Sequence, residues 1–260
     1  MRACTESVEQ GLYTRPAYTL SREASEHPLI LVCEHASRFI PPALNDLGLN
    51  AEAARQHIAW DIGALALAER LAETLGATLL AANYSRLLID LNRPRHAPDS
   101  IPGQSEIYQV PGNQQLDEAT REHRRQMLFK PFHTRLQTLI DERVAQGRPV
   151  RVVGIHSFTP VYYGQQRPLE AGVLFGEARQ YAQNVLDGLA RHPLKVAGNQ
   201  PYKIDPLGDM TVPVHGDARG LQALLIEVRN DLLRTPENVD RWDGYLAKKK
   251  KKKALRKKAL

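Results

Sequence analysis

Leu29-Ile30-Leu31-Val32-Cys33-Glu34-His35 decides the fold: a short apolar run, too brief for a helix, leads directly into a carboxylate and an imidazole. A run of that length reads as a strand buried on both faces, the kind that parallel sheets require. The pattern returns at Val152-Val153-Gly154-Ile155-His156-Ser157 and at Leu224-Leu225-Ile226-Glu227-Val228-Arg229. In open α/β sheets ligands gather at the carboxyl ends of the strands. Two histidines at strand ends and a glutamate within a third strand are therefore candidates for one site, because a buried charge needs a partner or a purpose.

Working outward, Leu65, Ala68, Leu71, Ala72 and Leu75 recur at helical spacing within 51–75, and Gly76 follows as a stop. Residues 77–82 and 87–91 read as strands. The segment 92–113 holds Pro94, Pro98, Pro102, Gly103, Pro111 and Gly112, so it is expected to be a functional loop. A helical pattern spans 115–146, with Met127, Leu128, Phe132, Leu136, Leu139, Ile140 and Val144 on one stripe and Pro131 marking a kink or a break. A strand at 150–155, a loop at 159–170, a strand at 171–175, a helix at 178–191 and a strand at 221–228 complete the order. Strands alternating with helices predict an α/β single domain, a mostly parallel sheet with helices on both faces.

The chain of 260 residues carries a formal net charge of +6, but nine of its 35 basic side chains lie in 248–260, against 29 acidic residues overall. Without that stretch 26 basic groups face 29 acidic ones, so the body is slightly acidic. The expected organisation is a polar N-terminal leader over 1–28, a domain over 29–247 and a Lys-rich tail over 248–260. Like charges repel, so the tail reads as a solvated end, and neither nucleic acid nor membrane is expected as a partner. Cys4 and Cys33 are too few for a disulfide framework, there is no apolar signal segment, and no stretch approaches about 18 consecutive apolar residues. A cytoplasmic location is expected; the oligomeric state is left open.

Zinc catalysis needs three protein ligands of histidine or carboxylate type and one open position. His35 and His156 are the imidazole candidates. The third ligand is a carboxylate, either Asp61, just before a helix, or Glu34, beside His35. Glu34 and His35 reach one ion only if the backbone turns there, because neighbours on a strand point to opposite faces. An aspartate before a helix is also an ordinary N-cap. Glu227, inside an apolar strand, is better explained as a general base than as an ion-pair partner of Arg229.

These segments resemble the N-formylglutamate amidohydrolase family. The resemblance rests on Cys33-Glu34-His35-Ala36-Ser37 with Ile40-Pro41-Pro42, Asp61-Ile62-Gly63, Tyr84-Ser85-Arg86 with Asp90-Leu91-Asn92-Arg93-Pro94, Gly154 through Pro160, and His215-Gly216 through Arg229, across residues 29–235. It implies a zinc carboxypeptidase-like (phosphorylase/hydrolase-like) fold, a Zn2+ cofactor and cleavage of the amide of an N-acyl, N-formylglutamate-like amino acid by metal-activated water. Zinc carboxypeptidases take a histidine and a glutamate three residues apart, whereas Arg38 stands three residues after His35; Asp61 is therefore preferred to Glu34. Glu227 matches the late-strand catalytic glutamate of that fold. Such a substrate carries a carboxylate, which arginine grips with a charge-assisted fork. Arg86, Asn92 and Arg93 are the first candidates to bind it, Arg219 and Arg229 the second, and His215 is a candidate oxyanion donor. Two alternatives are kept: a non-catalytic binding protein on the same fold, using the Lys-rich tail for an anionic partner, and the same mechanism acting on another acyl amino acid or a small peptide. Zinc content separates the first of these from an enzyme.

Overall fold

The protein is described over residues 8–247 of a computed structural model; the Lys-rich tail and Cys4 lie outside the described residues. Its strands are β1 (Tyr18–Ser21), β2 (Leu29–Cys33), β3 (Thr78–Ala82), the short pair β4 (Gln104–Ser105) and β5 (Tyr108–Gln109), β6 (Arg151–Phe158), a second short pair β7 (Val161–Tyr162) and β8 (Gln165–Gln166), then β9 (Ala171–Leu174), β10 (Val196–Gly198) and β11 (Gln222–Arg229). Its helices are α1 (Ala64–Leu75), α2 (Glu118–Arg124), α3 (Lys130–Ala145), α4 (Arg179–Leu189), α5 (Thr211–His215) and α6 (Pro236–Leu246).

Seven strands form one sheet in the order β1-β3-β2-β6-β11-β9-β10. The central four, β3, β2, β6 and β11, are parallel, while β1 meets β3 and β9 meets β11 antiparallel, and β10 runs parallel to β9. This is the expected single-domain α/β architecture. Successive residues face opposite sides of the sheet and divide the core in two. Ile30, Val32, Leu80, Val152 and Leu225 pack with Phe132, Leu136 and Ile140 of α3, and Leu31, Cys33, Val153, Ile155 and Leu224 pack with α1, α4 and α6.

Helix α1 buries Ala64, Leu67, Ala68, Leu71 and Ala72, one stripe at helical spacing, and ends where Gly76 takes φ 66°, the left-handed stop. Thr235 caps α6, accepting from the Asn238 amide, with Pro236 in the first turn. Among the described residues no helix is long and apolar enough to cross a membrane.

Three expectations differ from the structure. Residues 87–91 form no strand: Leu87, Leu88 and Ile89 are buried, but in turns, with the Leu88 amide bonded to the Ser85 carbonyl. The helix expected over 115–146 is α2 and α3 joined by a π turn at Arg125–Phe129, with Pro131 near the start of α3. That turn takes an extra residue and rotates the stripe, so Met127 is exposed; Val144, near the end of α3, is exposed as well. The expected leader is partly structural. Strand β1 edges the sheet, and the Glu9 carboxylate pairs with fully buried Arg124, which also donates to the Leu88 carbonyl and the Asn113 side chain.

Candidate active site

The carboxyl ends of β2, β6 and β11 lie side by side and bring the sequence-predicted residues together. The backbone turns as β2 ends, so neighbouring Glu34 and His35 both reach the same cluster, Glu34 meeting His156 and His35 meeting Asp61. The Asp61 amide donates to the His35 carbonyl at 2.9 Å, tying the loop before α1 to the end of β2. Gly63, at φ 81°, begins α1 without a side-chain cap, which leaves the Asp61 carboxylate free to turn inward rather than cap the helix. Its Oδ2 lies 3.3 Å from His35 Nδ1 and 2.9 Å from His156 Nδ1, and its Oδ1 accepts from Arg86 at 3.4 Å.

The far nitrogens of both rings also meet carboxylates: His35 Nε2 is 2.8 Å from Asp90 Oδ1, and His156 Nε2 is 3.0 Å from Glu34 Oε2. Asp90 is held in turn by Arg86 Nε and Nη2, at 3.0 and 2.5 Å, and Glu34 accepts from the Thr211 hydroxyl. All five titratable groups, His35, His156, Asp61, Asp90 and Glu34, are nearly inaccessible to solvent. Burial pushes against the charged forms, yet the neighbouring carboxylates raise both imidazoles and the cations hold Asp61 and Asp90 below the usual carboxylate range.

This donor set fits a divalent metal. One ligand atom each from His35, Asp61 and His156 can be chosen so that all lie within 4.8 Å of one another, the two-nitrogen, one-oxygen chemistry that zinc accepts. Carboxylates behind each ring are the outer partners that fix a ligating imidazole's orientation. Glu34, by contrast, sits behind His156 rather than beside the converging atoms.

A cavity of about 440 Å³ opens over His35, Asp61 and His156. Glu227 lines it from β11, directly across the ladder from His156 on β6. Its side chain is buried, its Oε2 has no hydrogen-bond partner, and burial pushes its carboxyl up to about 7 against the pull of His156. Two glycines shape this floor. Gly154 precedes His156 on the same face, where a Cβ would strike Leu225 and crowd the His156 ring. Gly172, opposite Glu227 on β9, is overlain by the Gln200 carbonyl, which occupies the space a Cβ would need. The loop carrying Tyr202 and Lys203 to the cavity thus rests directly on the strand next to Glu227.

Arg86, Asn92 and Arg93, the first candidates for substrate binding, line the cavity, but each is engaged. Arg86 spans Asp61 and Asp90; Arg93 pairs with Asp209 and Asp99; the Asn92 side-chain Oδ1 accepts from the Met210 and Thr211 amides. Lys203 also lines the cavity and has no ion-pair partner among the described residues. Its irregular loop offered no pattern in the sequence, and Tyr202, His57 and Glu106 were missed for the same reason. Asp90 was legible only as a residue of an apolar run.

Three candidates are not brought to the cavity. His215 stacks on His133 in the core, its Nε2 donating to His133 Nδ1 at 2.9 Å, because α5 turns it away from Glu227 and onto α3. Arg219 pairs with Asp141 on α3, and Arg229, where β11 ends, turns to Asp231 and the carbonyls of Arg167 and Leu169.

Residues 27–234 match the family model of N-formylglutamate amidohydrolase. A gene product of Agrobacterium tumefaciens of known structure is 42% identical, with 89% of this chain and 92% of that chain covered and a TM-score of 0.86. An N-formylglutamate amidohydrolase from Ralstonia eutropha JMP134 shares the fold at 20% identity, with 89% and 94% covered and a TM-score of 0.64. No curated protein sequence matches the chain.

Proposed function

The chain belongs to the N-formylglutamate amidohydrolase family, hydrolases of amide bonds, and from that membership we propose that it cleaves an N-acyl amino acid, N-formylglutamate first among them, with zinc held by His35, Asp61 and His156. Zinc so held would supply Lewis-acid polarisation and the lowered water pKa that amide hydrolysis needs near neutrality. The observation that carries the reading is Glu227: a buried carboxylate with an unpartnered oxygen, in the same cavity as the three donors and one strand away from His156.

Glu227 takes a proton from the attacking water as its oxygen adds to the carbonyl carbon, and delivers a proton to the amine nitrogen as the C–N bond breaks. Burial supports this role, since a base whose pKa lies near the working pH both accepts and returns a proton readily. Asp90 and Glu34 orient the two imidazoles through their far nitrogens. Arg86, fixed by Asp61 and Asp90, is the cavity cation that opposes charge developing on the carbonyl oxygen. Lys203 supplies the charge not already neutralised, and with Arg93 it receives the substrate carboxylates.

The test is formate release from N-formyl-L-glutamate by the purified protein, lost on chelation and restored by zinc. Zinc-loaded protein that releases no formate, or a rate indifferent to the chelator, refutes the reading.

A further inference from the structure

Two short hairpins stand at the cavity wall. The β4–β5 hairpin turns at Glu106, φ 50°, and the β7–β8 hairpin turns at Tyr163, φ 47°, both in the left-handed region that non-glycine residues seldom adopt. The two strained residues bond each other: Glu106 Oε1 accepts from the Tyr163 backbone amide at 2.8 Å. The second oxygen, Oε2, lies 2.7 Å from His57 Nε2, on the loop that leads to Asp61. Although it sits at a hairpin tip, the Glu106 side chain is only 9% exposed, while Ile107 beside it is 65% exposed.

A carboxylate at an exposed turn costs least when it points into water, so its inward position needs the two partners it meets, the Tyr163 amide that donates to it and the His57 ring beside it. His57, Ser105, Glu106 and Tyr162 all line the cavity. The wall continues beyond them: the Arg167 guanidinium lies over the Tyr162 ring at 4.3 Å and the Tyr202 ring at 4.9 Å, and donates to the Tyr202 hydroxyl at 2.7 Å. One carboxylate therefore fastens the loop before α1 to both hairpins, and the second hairpin is fastened in turn to the loop of Lys203.

We propose that Glu106 is a positioning residue that closes the cavity wall and so sets how large an N-acyl amino acid the cavity encloses. This rests on the reading of the cavity as the substrate site. Glu106 makes no contact with the reacting atoms. Its effect is on how tightly a small substrate is enclosed and on whether a longer one is admitted.

The experiment uses the full-length zinc-loaded protein with Glu106→Ala and Glu106→Gln. Three quantities are measured: KM and kcat for N-formyl-L-glutamate and N-butanoyl-L-glutamate, the Kd of L-glutamate by calorimetry, and zinc content. Glu106→Ala should raise the N-formylglutamate KM and the glutamate Kd by roughly tenfold, with kcat within about threefold and zinc retained, as expected when enclosure is lost but the reacting groups stay. Relative to N-formylglutamate, kcat/KM for the butanoyl substrate should rise by about the same factor. Glu106→Gln can still accept from the Tyr163 amide and should recover most of the difference, which also covers the case in which the alanine variant does not fold. Unchanged Kd and unchanged acyl preference overturn the proposal, as does a loss that tracks zinc content. A wild type that binds glutamate but releases no formate sinks the hydrolytic reading alone, and the glutamate Kd then still decides the role of Glu106. Absence of both glutamate binding and hydrolysis overturns both.

Discussion

Glu227 and His156 are register partners on β11 and β6, so the carboxylate proposed to move protons and an imidazole proposed to hold zinc are placed by the same backbone ladder. Rigid strands hold such a pair more tightly than loops do. Replacing Glu227 by Gln keeps its shape and removes its basicity. Zinc content should be unchanged, the melting temperature equal or higher because a costly buried charge is gone, and turnover lower by roughly 10²-fold or more. Near-normal turnover per folded molecule removes Glu227 from the mechanism.

Ligand removal separates the two acids near His35. His35→Ala, His156→Ala and Asp61→Ala should each abolish stoichiometric zinc and activity. Glu34→Gln should keep zinc but weaken its affinity by about 10- to 100-fold, the scale of an outer carboxylate behind a ligating imidazole. Metal analysis against a competing chelator reads both. Full zinc in Asp61→Ala with none in Glu34→Gln would hand the ligand role to Glu34.

Lys203 tests carboxylate recognition. Lys203→Met should raise KM for N-formyl-L-glutamate by roughly tenfold with kcat within about threefold, the signature of lost ground-state binding of a charged group. N-formyl-L-leucine should show little change if Lys203 receives the side-chain carboxylate. An unaltered KM for the glutamate substrate discards Lys203.

His133 and His215 set an acid limit on stability. Burial, with each other's proximity, lowers His133 to about 3, and burial lowers His215 to about 4, against an ordinary value of 6.5. His133 Nε2 donates to the Leu91 carbonyl at 2.8 Å, which leaves its Nδ1 to accept from His215, so the pair is built for two neutral rings. Depressed imidazole values mean that the unfolded chain takes up protons first: the stabilisation is complete above 6.5 and is lost as the pH falls towards 4 and below. The slope is about 1.4 kcal/mol per pH unit for each proton taken up on unfolding. Denaturant unfolding from pH 7 to pH 4 should show the decline, and His215→Gln should reduce its slope by about one proton. Equal slopes in the two proteins would count against this account.

Much of the fold was legible because a strand buried on both faces must be continuously apolar, as β2, β6 and β11 are. The run 87–91 satisfied the same criterion and is equally buried, but its Asp90 amide bonds to the Ser100 carbonyl rather than to a neighbouring strand. Apolar composition reports burial; it does not report a ladder partner. His35 and His156 were legible from their places at strand ends, whereas the choice between Asp61 and Glu34 depended on a backbone turn that no periodicity encodes. His215, Arg219 and Arg229 lie close in sequence to the base strand, yet each finds another partner in the core or at the surface. Lys203 and Glu106 came from irregular loops, where spacing carries no signal.

Gly172 couples the Tyr202–Lys203 loop to the sheet in a way that bears on altering the proposed substrate preference. Because the Gln200 carbonyl rests where a side chain would be, the height of the Tyr202–Lys203 segment above the strands is set by an atom that is missing from a residue outside the cavity lining. A mutant library confined to cavity-facing positions would vary the fingers but leave the wrist fixed. Even an alanine at Gly172, buried beneath the loop, must displace the Gln200 backbone, and so would move the loop while every cavity-lining side chain keeps its identity.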